Sequence, residues 1–428
     1  VNRGVGASRA AVETISLEAI GAQAKKAAAV LAQSTGEQRR QGLHAMAAAL
    51  SASGSEILKV NAADLENAKA GGLAGPLVDR LALNQKRLDQ MAEGLRTVAH
   101  QSDPLGQVID QWHRPNGLRI QKIRVPIGVI AVIYEARPNV TADVAGLCLM
   151  SGNAAVLRGS SHALQTNICV SEILRRALGE AELPPDCIQL VTDTSREAAV
   201  ALMRLKRYID LLIPRGGKAL IDTIYENAVV PYIIDGDGNC HVYVDSSADL
   251  EMATAIVINA KTQRPGVCNA AETLLVHTDL APKWLVSILD DLSSKGVEIR
   301  GDQVVQGAWP QATLATEADW GTEFLELILA VKVVASIDEA IAHVNKWGTS
   351  NAEAIIAEDE AAKRRFVSEV DSGSIFVNTS TRFSDGGEFG YGSEIGISTQ
   401  RLHARGPMGL NELTTYKNVV WGDGQVRT

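Results

Sequence analysis

Hydrophobic positions along this chain follow two different periods. Residues 127–134 (IGVIAVIY) form an unbroken apolar run, the mark of a strand buried on both faces. Strand and helix patterns alternate after it. Residues 154–157 predict a strand, with a helix reaching to about Leu178. Residues 187–191 predict a strand followed by a helix from about Arg196, and residues 209–214 a strand followed by a helix from about Lys218. Residues 230–235 close the series as a strand. This alternation predicts a doubly wound parallel sheet. A second series opens at His241, with strands over residues 241–245, 272–277, 329–334, 354–357 and 374–377 and helices between most of them. The turn-rich DGDGNC segment puts the boundary between the two series near residues 236–239. Ahead of both, residues 10–70 carry alanine-rich helical periodicity, and Ser34 or Thr35 can cap the helix that begins near Glu37.

One piece fits neither series. Residues 107–112, the turn RPNG and residues 118–125 read as a β-hairpin, with Asn116-Gly117 as its turn signal. A two-stranded hairpin is marginal alone in water, so it is expected to pair with the C-terminal run 413–421 (LTTYKNVVW) or with a second subunit. The fold class is therefore α/β: two doubly wound domains plus a hairpin arm.

Composition changes this picture little. The chain has 428 residues, enough for two or three domains. Hydrophobic residues at 46% and charged residues at 21% fit a globular protein with a large core. A net charge of −9 argues against nonspecific binding to nucleic acid or to an anionic membrane. No apolar run reaches the roughly 20 residues that span a bilayer. The opening segment, VNRGVGASRAAVETISLEAIG, lacks the apolar core of a signal peptide, so a cytoplasmic enzyme is expected. The cysteines Cys148, Cys169, Cys187, Cys240 and Cys268 form no CxxC pair, and the histidines show no HxxxH or HxH spacing. Neither a disulfide framework nor a metal site is expected.

Candidate chemistry concentrates in four places. Cys268, in QRPGVCNAAE, sits on a short connection between a helix over residues 250–261 and the strand over 272–277. It is either a small core residue or a nucleophile, and Lys261 and Arg264 nearby would favour the thiolate. Pro214-Arg215-Gly216-Gly217 follows a strand and opens a helix, as does Arg158-Gly159-Ser160-Ser161. Such turns either suit a phosphate or simply let the chain reverse tightly. No GxGxxG is present. Arg137 and Asn139, in YEARPN at the end of the apolar strand, are the types that meet an anion or an oxyanion. Arg137 could equally pair with Glu135. Residues 378–399 form a long, polar, glycine-rich loop that reads as one wall of a site.

Together the segments VPIGVIAVIYEARPNVT, SGNAAVLRG, DLLIPRGG, DGDGNCHVYVD, NAKTQRPGVCNAAETLLVH, STRFSDGGEFGYGSEIGIST and QRLHARGPMGLNELTTYKN resemble the γ-glutamyl phosphate reductases of the aldehyde dehydrogenase superfamily. The resemblance runs from about Asp79 to the last residue. It implies reduction of L-glutamate 5-phosphate by NADPH to glutamate 5-semialdehyde, in proline biosynthesis, through a thioester on Cys268. It assigns residues 1–106 and 126–238 to an NADP-binding domain, 239–400 to a catalytic domain and 107–125 with 401–428 to an oligomerisation arm. The thiolate would lie in a cleft between the domains. The backbone amide of Cys268 and the side chain of Asn139 are candidate oxyanion donors, although ungapped counting places Arg137 where aldehyde dehydrogenases carry an asparagine.

Arg158, Gly159, Ser160, Pro214, Arg215, Gly216, Gly217 and Glu323 are the cofactor candidates. Ser161 stands where some NAD-using relatives carry a glutamate, which would leave Arg158 to meet the 2′-phosphate of NADP. Arg137, Arg264, Ser384 and Asp385 are the substrate candidates, although Asp385 could instead only cap the Gly386-Gly387 turn. Asp235 is the nearest carboxylate to the water-activating glutamate of hydrolytic relatives and is left out of the catalytic set. The implied partners are a homo-oligomer and glutamate 5-kinase, whose product is unstable in water. The rival readings are a CoA-acylating aldehyde dehydrogenase of the same fold and a non-catalytic binding protein.

Overall fold

The computed structural model describes residues 16–73 and 75–427, with Pro76 by its backbone alone. The readings made on residues 1–15, which include much of the signal-peptide argument and the start of the alanine-rich stretch, lie outside the described residues. Helices follow at Leu17–Leu31, Gly36–Ala52, Gly54–Ala70, Gly75–Leu81 and Gln85–His100. Thr35 is the cap of the second. Its hydroxyl accepts from the Gln38 amide at 3.2 Å, and Gln38 Oε1 accepts from the Thr35 amide at 2.8 Å.

Strands β1 (Val108–His113) and β2 (Arg119–Pro126) form the expected hairpin, closed where the Arg114 amide donates to the Leu118 carbonyl at 2.8 Å. β3 (Val129–Tyr134), β4 (Ala154–Arg158), β5 (Ile188–Leu190) and β6 (Leu211–Arg215) make a sheet in the order β5-β4-β3-β6. Every residue of β3 is buried, as an apolar run without alternation requires. Residues 230–235 do not add a fifth strand. Pro231 has no amide to donate, and the segment makes only isolated bridges at Tyr232 and Asp235, the latter to Ser398.

The second sheet has seven strands: β7 (Cys240–Val244), β8 (Ala271–His277), β9 (Glu298–Gly301), β10 (Thr313–Leu314), β11 (Ile328–Val334), β12 (Ala352–Ile356) and β13 (Ser374–Val377). Their order is β10-β9-β11-β8-β7-β12-β13, parallel throughout. β9 and β10 were not expected. Alternate residues of the central strands feed two cores. Val242, Val244, Leu274 and Val276 pack on one face, and Tyr243, Leu275, Ile355 and Val334 on the other. Each strand is thus covered twice, which a strand read by polar alternation would not show. β14 (Ile397–Ser398) pairs with β15 (Gly406–Pro407). β16 (Thr414–Trp421) joins the hairpin in the order β1-β2-β16, so the C-terminal run supplies its expected partner.

The chain divides into two compact units. Unit 1 holds the described part of Val1–Ala99 with Val125–Leu212 and Thr223–Pro231. Unit 2 holds His100–Arg124, Ile213–Asp222 and the described part of Tyr232–Thr428. No described helix is long and apolar enough to cross a membrane.

Candidate active site

The helix Leu250–Thr262 ends with Gln263 as its C-cap, and β8 begins at Ala271. Cys268 lies half-buried on the turn between them, at the N-terminal edge of the sheet. Three neighbours fix that turn. The Cys268 carbonyl accepts from Cys240 Sγ at 3.1 Å. Gly238, leading into β7, lies flat against it: a Cβ there would fall 1.8 Å from the Cys268 carbonyl oxygen, so no side chain fits. The Gly238 amide donates to Glu323 Oε1 at 2.8 Å. On the other side, Asn269 Nδ2 donates to the Ser384 carbonyl at 2.8 Å, and the Thr381 hydroxyl donates to the Asn269 carbonyl at 2.7 Å.

Electrostatics here differ from the sequence reading. Burial, with Asp235, Glu323 and Glu394 adding to it, pushes the Cys268 thiol up to about 12, while Arg215 pulls the other way. Lys261 does not activate the thiol. It is fully buried and donates to Glu272 Oε2 at 2.6 Å, and Arg264 is exposed. Arg215 forms an ion pair with Asp235, its partner across 20 residues of chain. Burial lifts Glu394 to about 7, with Arg215 moderating the rise, and its Oε2 accepts from the Gly386 amide at 2.9 Å. Burial also raises Glu323. Unit 2 therefore gathers a cysteine, one paired arginine and three carboxylates around a single turn. Among the described residues, no cluster of His, Cys, Asp or Glu is placed to hold a metal ion.

The remaining expected residues fall as follows. In unit 1, Arg158 ends β4 and its Nη2 donates to the carbonyls of Thr194 and Ser195, the latter at 3.0 Å. Its Nε is buried without a hydrogen-bond partner among the described residues. Burial lowers the Arg158 pKa and Asp193 opposes that, so a carboxylate stands near this cation after all. Gly159 is a glycine because a Cβ would meet Asn167 Nδ2 at 2.2 Å. The Ser160 hydroxyl accepts from the His162 amide at 3.2 Å and caps the short turn Ser161–Ala163. Asn139 opens the helix Asn139–Met150, and its Nδ2 donates to Asp143 Oδ2 at 2.9 Å. The Arg137 amide donates to the Glu135 carbonyl at 2.7 Å.

In unit 2, Pro214 and Arg215 end β6, and Gly216 and Gly217 lead into the helix Lys218–Asn227. Ser384 is buried; Asp385 is exposed and accepts from the Gly387 amide at 2.8 Å. Sequence reasoning missed Glu394, Asn269 and Arg382. Glu394 carried a usable signal, since it is a lone carboxylate inside the glycine-rich GYGSEIG segment.

A family model described as the aldehyde dehydrogenase family matches residues 4–312. A γ-glutamyl phosphate reductase of Caldanaerobacter subterraneus subsp. tengcongensis is 53% identical over 405 residues, covering 95% of this chain and 98% of that protein. The crystal structure of γ-glutamyl phosphate reductase from Thermotoga maritima superimposes with a TM-score of 0.94 at 48% identity, covering 96% of this chain and 99% of that one. An engineered glycolyl-CoA reductase with bound NADP+ shares the fold, with a TM-score of 0.66 at 15% identity over 94% of this chain and 96% of that one.

Proposed function

Since the chain belongs to the aldehyde dehydrogenase family, and within it to the γ-glutamyl phosphate reductases, we infer that it reduces L-glutamate 5-phosphate to L-glutamate 5-semialdehyde and phosphate in proline biosynthesis. The observation that carries the chemistry is Cys268, set on a turn fixed by Cys240, Gly238 and Asn269. Its sulfur, once deprotonated, attacks the acyl carbon. The bond from that carbon to the phosphate oxygen breaks, phosphate leaves with the electron pair, and a thioester remains on Cys268. Reduction at the thioester carbon and cleavage of the carbon–sulfur bond then free the aldehyde.

A thiol held near 12 must give up its proton first. Glu394, near 7, is half-ionised at neutral pH and is our acceptor for it. Our oxyanion donor is the Cys268 backbone amide. Asn139 remains a second candidate donor, and within unit 1 its Nδ2 is already given to Asp143.

A nicotinamide cofactor, when bound, supplies the hydride. The unpartnered Nε of Arg158 fits a ligand at the end of β4. Arg158, Gly159 and Ser160 of unit 1 are our candidates for the adenosine side of NADPH, and Pro214, Arg215, Gly216, Gly217 and Glu323 are the cofactor candidates of unit 2. Arg137, Arg264, Ser384 and Asp385 remain substrate candidates. A homo-oligomer built on the β1-β2-β16 sheet, a cytoplasmic setting and association with glutamate 5-kinase complete the reading.

The test runs the reaction backwards. Glutamate semialdehyde and NADP should yield NADPH only with inorganic phosphate, and Cys268→Ala should abolish the signal. Support of turnover by CoA in place of phosphate would favour the acylating reading, and turnover without Cys268 would refute the mechanism. Substitution Arg158→Ala should raise the KM for NADPH far more than that for NADH; equal effects would remove the 2′-phosphate from its role.

A further inference from the structure

Arg382 lies on the turn Thr381–Phe383, which is stapled to the residue next to the nucleophile. Asn269 accepts from Thr381 on one side of Arg382 and donates to Ser384 on the other, at 2.7 and 2.8 Å. Arg382 Nε donates to Gln263 Oε1 at 3.0 Å, and Gln263 is the C-cap of the helix that delivers Cys268. That bond orients the half-buried guanidinium through Nε. Its two Nη groups have no hydrogen-bond partner among the described residues and form a fork.

The surrounding charges ask for an anion. Arg264 and Cys268 are both within electrostatic reach of Arg382, and burial with Arg264 beside it pushes the Arg382 pKa down. The carboxylate that opposes this, Asp385, is exposed and already accepts from Gly387. Two like charges held together next to a nucleophile, one of them partly desolvated, are unfavourable until a negative group arrives. Ser384 adds a hydroxyl that is fully buried and unpartnered among the described residues. It lies on the same stapled turn, and a phosphoryl oxygen would satisfy it.

We propose that Arg382, with Arg264 beside it and Ser384 Oγ as a further donor, binds the phosphoryl group of the acyl phosphate and the inorganic phosphate it becomes. This rests on the reaction inferred above. Negative charge on the bridging oxygen grows as the carbon–oxygen bond breaks, so a fork placed on that group binds the transition state more tightly than the ground state. The substrate also carries an α-carboxylate, which the same fork could take, and the experiment separates the two.

In the phosphate-dependent oxidation of glutamate semialdehyde, Arg382→Ala should raise the KM for inorganic phosphate by about tenfold or more, the scale of a lost charge-assisted hydrogen bond. The KM for the semialdehyde should stay within about twofold, and Arg382→Lys should recover part of the loss. A readout without turnover accompanies it. Inorganic phosphate should protect Cys268 from iodoacetamide in the wild-type protein and fail to do so in the alanine variant. A raised KM for the semialdehyde with phosphate unaffected would assign the fork to the α-carboxylate and overturn the proposal. So would unchanged protection. Wild-type turnover that ignores phosphate would overturn the reaction itself, and the protection experiment would then decide on Arg382 alone.

Discussion

Glu394 is a carboxylate in a place that disfavours charge. Burial lifts it to about 7, although Arg215 pulls it down and the Gly386 amide donates to it. In the unfolded chain a glutamate titrates near ~4.3. The folded value is the higher one, so stability is fully present below about pH 4 and falls as the pH rises through about 7. Glutamine resembles the protonated form and can still accept from Gly386. Glu394→Gln should therefore stabilise the protein at pH 8 by up to about 4 kcal/mol in urea unfolding, with the gain vanishing near pH 4. The same change removes our proton acceptor for Cys268. It should lower kcat by roughly a hundredfold and erase the limb of the pH–rate profile near 7. Full activity across pH would end the catalytic role, and unchanged stability at pH 8 would end the raised pKa. Gain of stability with loss of activity is the pattern expected of a residue strained for function. The turn that carries Cys268 was legible because glycine, proline and asparagine crowd it, while the proposed role of the thiol came from the family resemblance. The charges that govern it were not, because Arg215 finds Asp235 through the fold and Lys261, on the preceding helix, finds Glu272 on β8.

Among the elements, the legible ones were those whose pattern is long or continuous. The run that became β3, the helix and strand flanking Cys268 and the hairpin all formed close to their expected bounds. β9 and β10 were illegible for a physical reason. Four residues, EIRG, and two, TL, are too short to show any period, and Arg300 in β9 is tied to Asp319 at 2.6 Å rather than pointing to open solvent. Residues 230–235 failed in the opposite direction, since apolar content without free amides does not make a ladder strand. The loop that carries Glu323 shows how elements support the site. Leu325 takes φ +56, a left-handed conformation that costs a non-glycine residue about 1 kcal/mol or more. Its amide donates to Glu272 Oε1 at 3.2 Å, and Glu272 is anchored by buried Lys261. Two residues upstream, Glu323 accepts from Gly238, whose backbone abuts Cys268. A buried ion pair is weak evidence for stability, but here it fixes the register of a loop whose carboxylate faces the nucleophile.

For the whole molecule, unit 2 carries a sheet whose first strand the described residues leave exposed. β1 and β16 are both edge strands of the β1-β2-β16 sheet, with backbone groups open to pairing. Every residue of β1 is exposed, and large apolar groups stand out on both edges: Ile109 is 44% exposed, Val420 55% and Trp421 51%. Internal contacts stiffen the sheet without hiding it. Trp421 Nε1 donates to Gln121 Oε1 at 2.8 Å, and Lys122 lies over the Tyr416 ring at 4.1 Å. Stiffened in this way and carrying exposed apolar groups on both edges, the sheet is our candidate surface for pairing with a second copy of the chain. Light scattering of the wild-type protein should therefore give a multiple of the single-chain mass. Ile109→Glu with Val420→Glu places charge on both edges and should shift the population toward one chain, while circular dichroism stays unchanged because neither side chain is in a core. A wild-type protein that runs as a single chain at high concentration would remove the arm from any role in assembly, and a double variant that stays assembled would move the interface elsewhere on the surface.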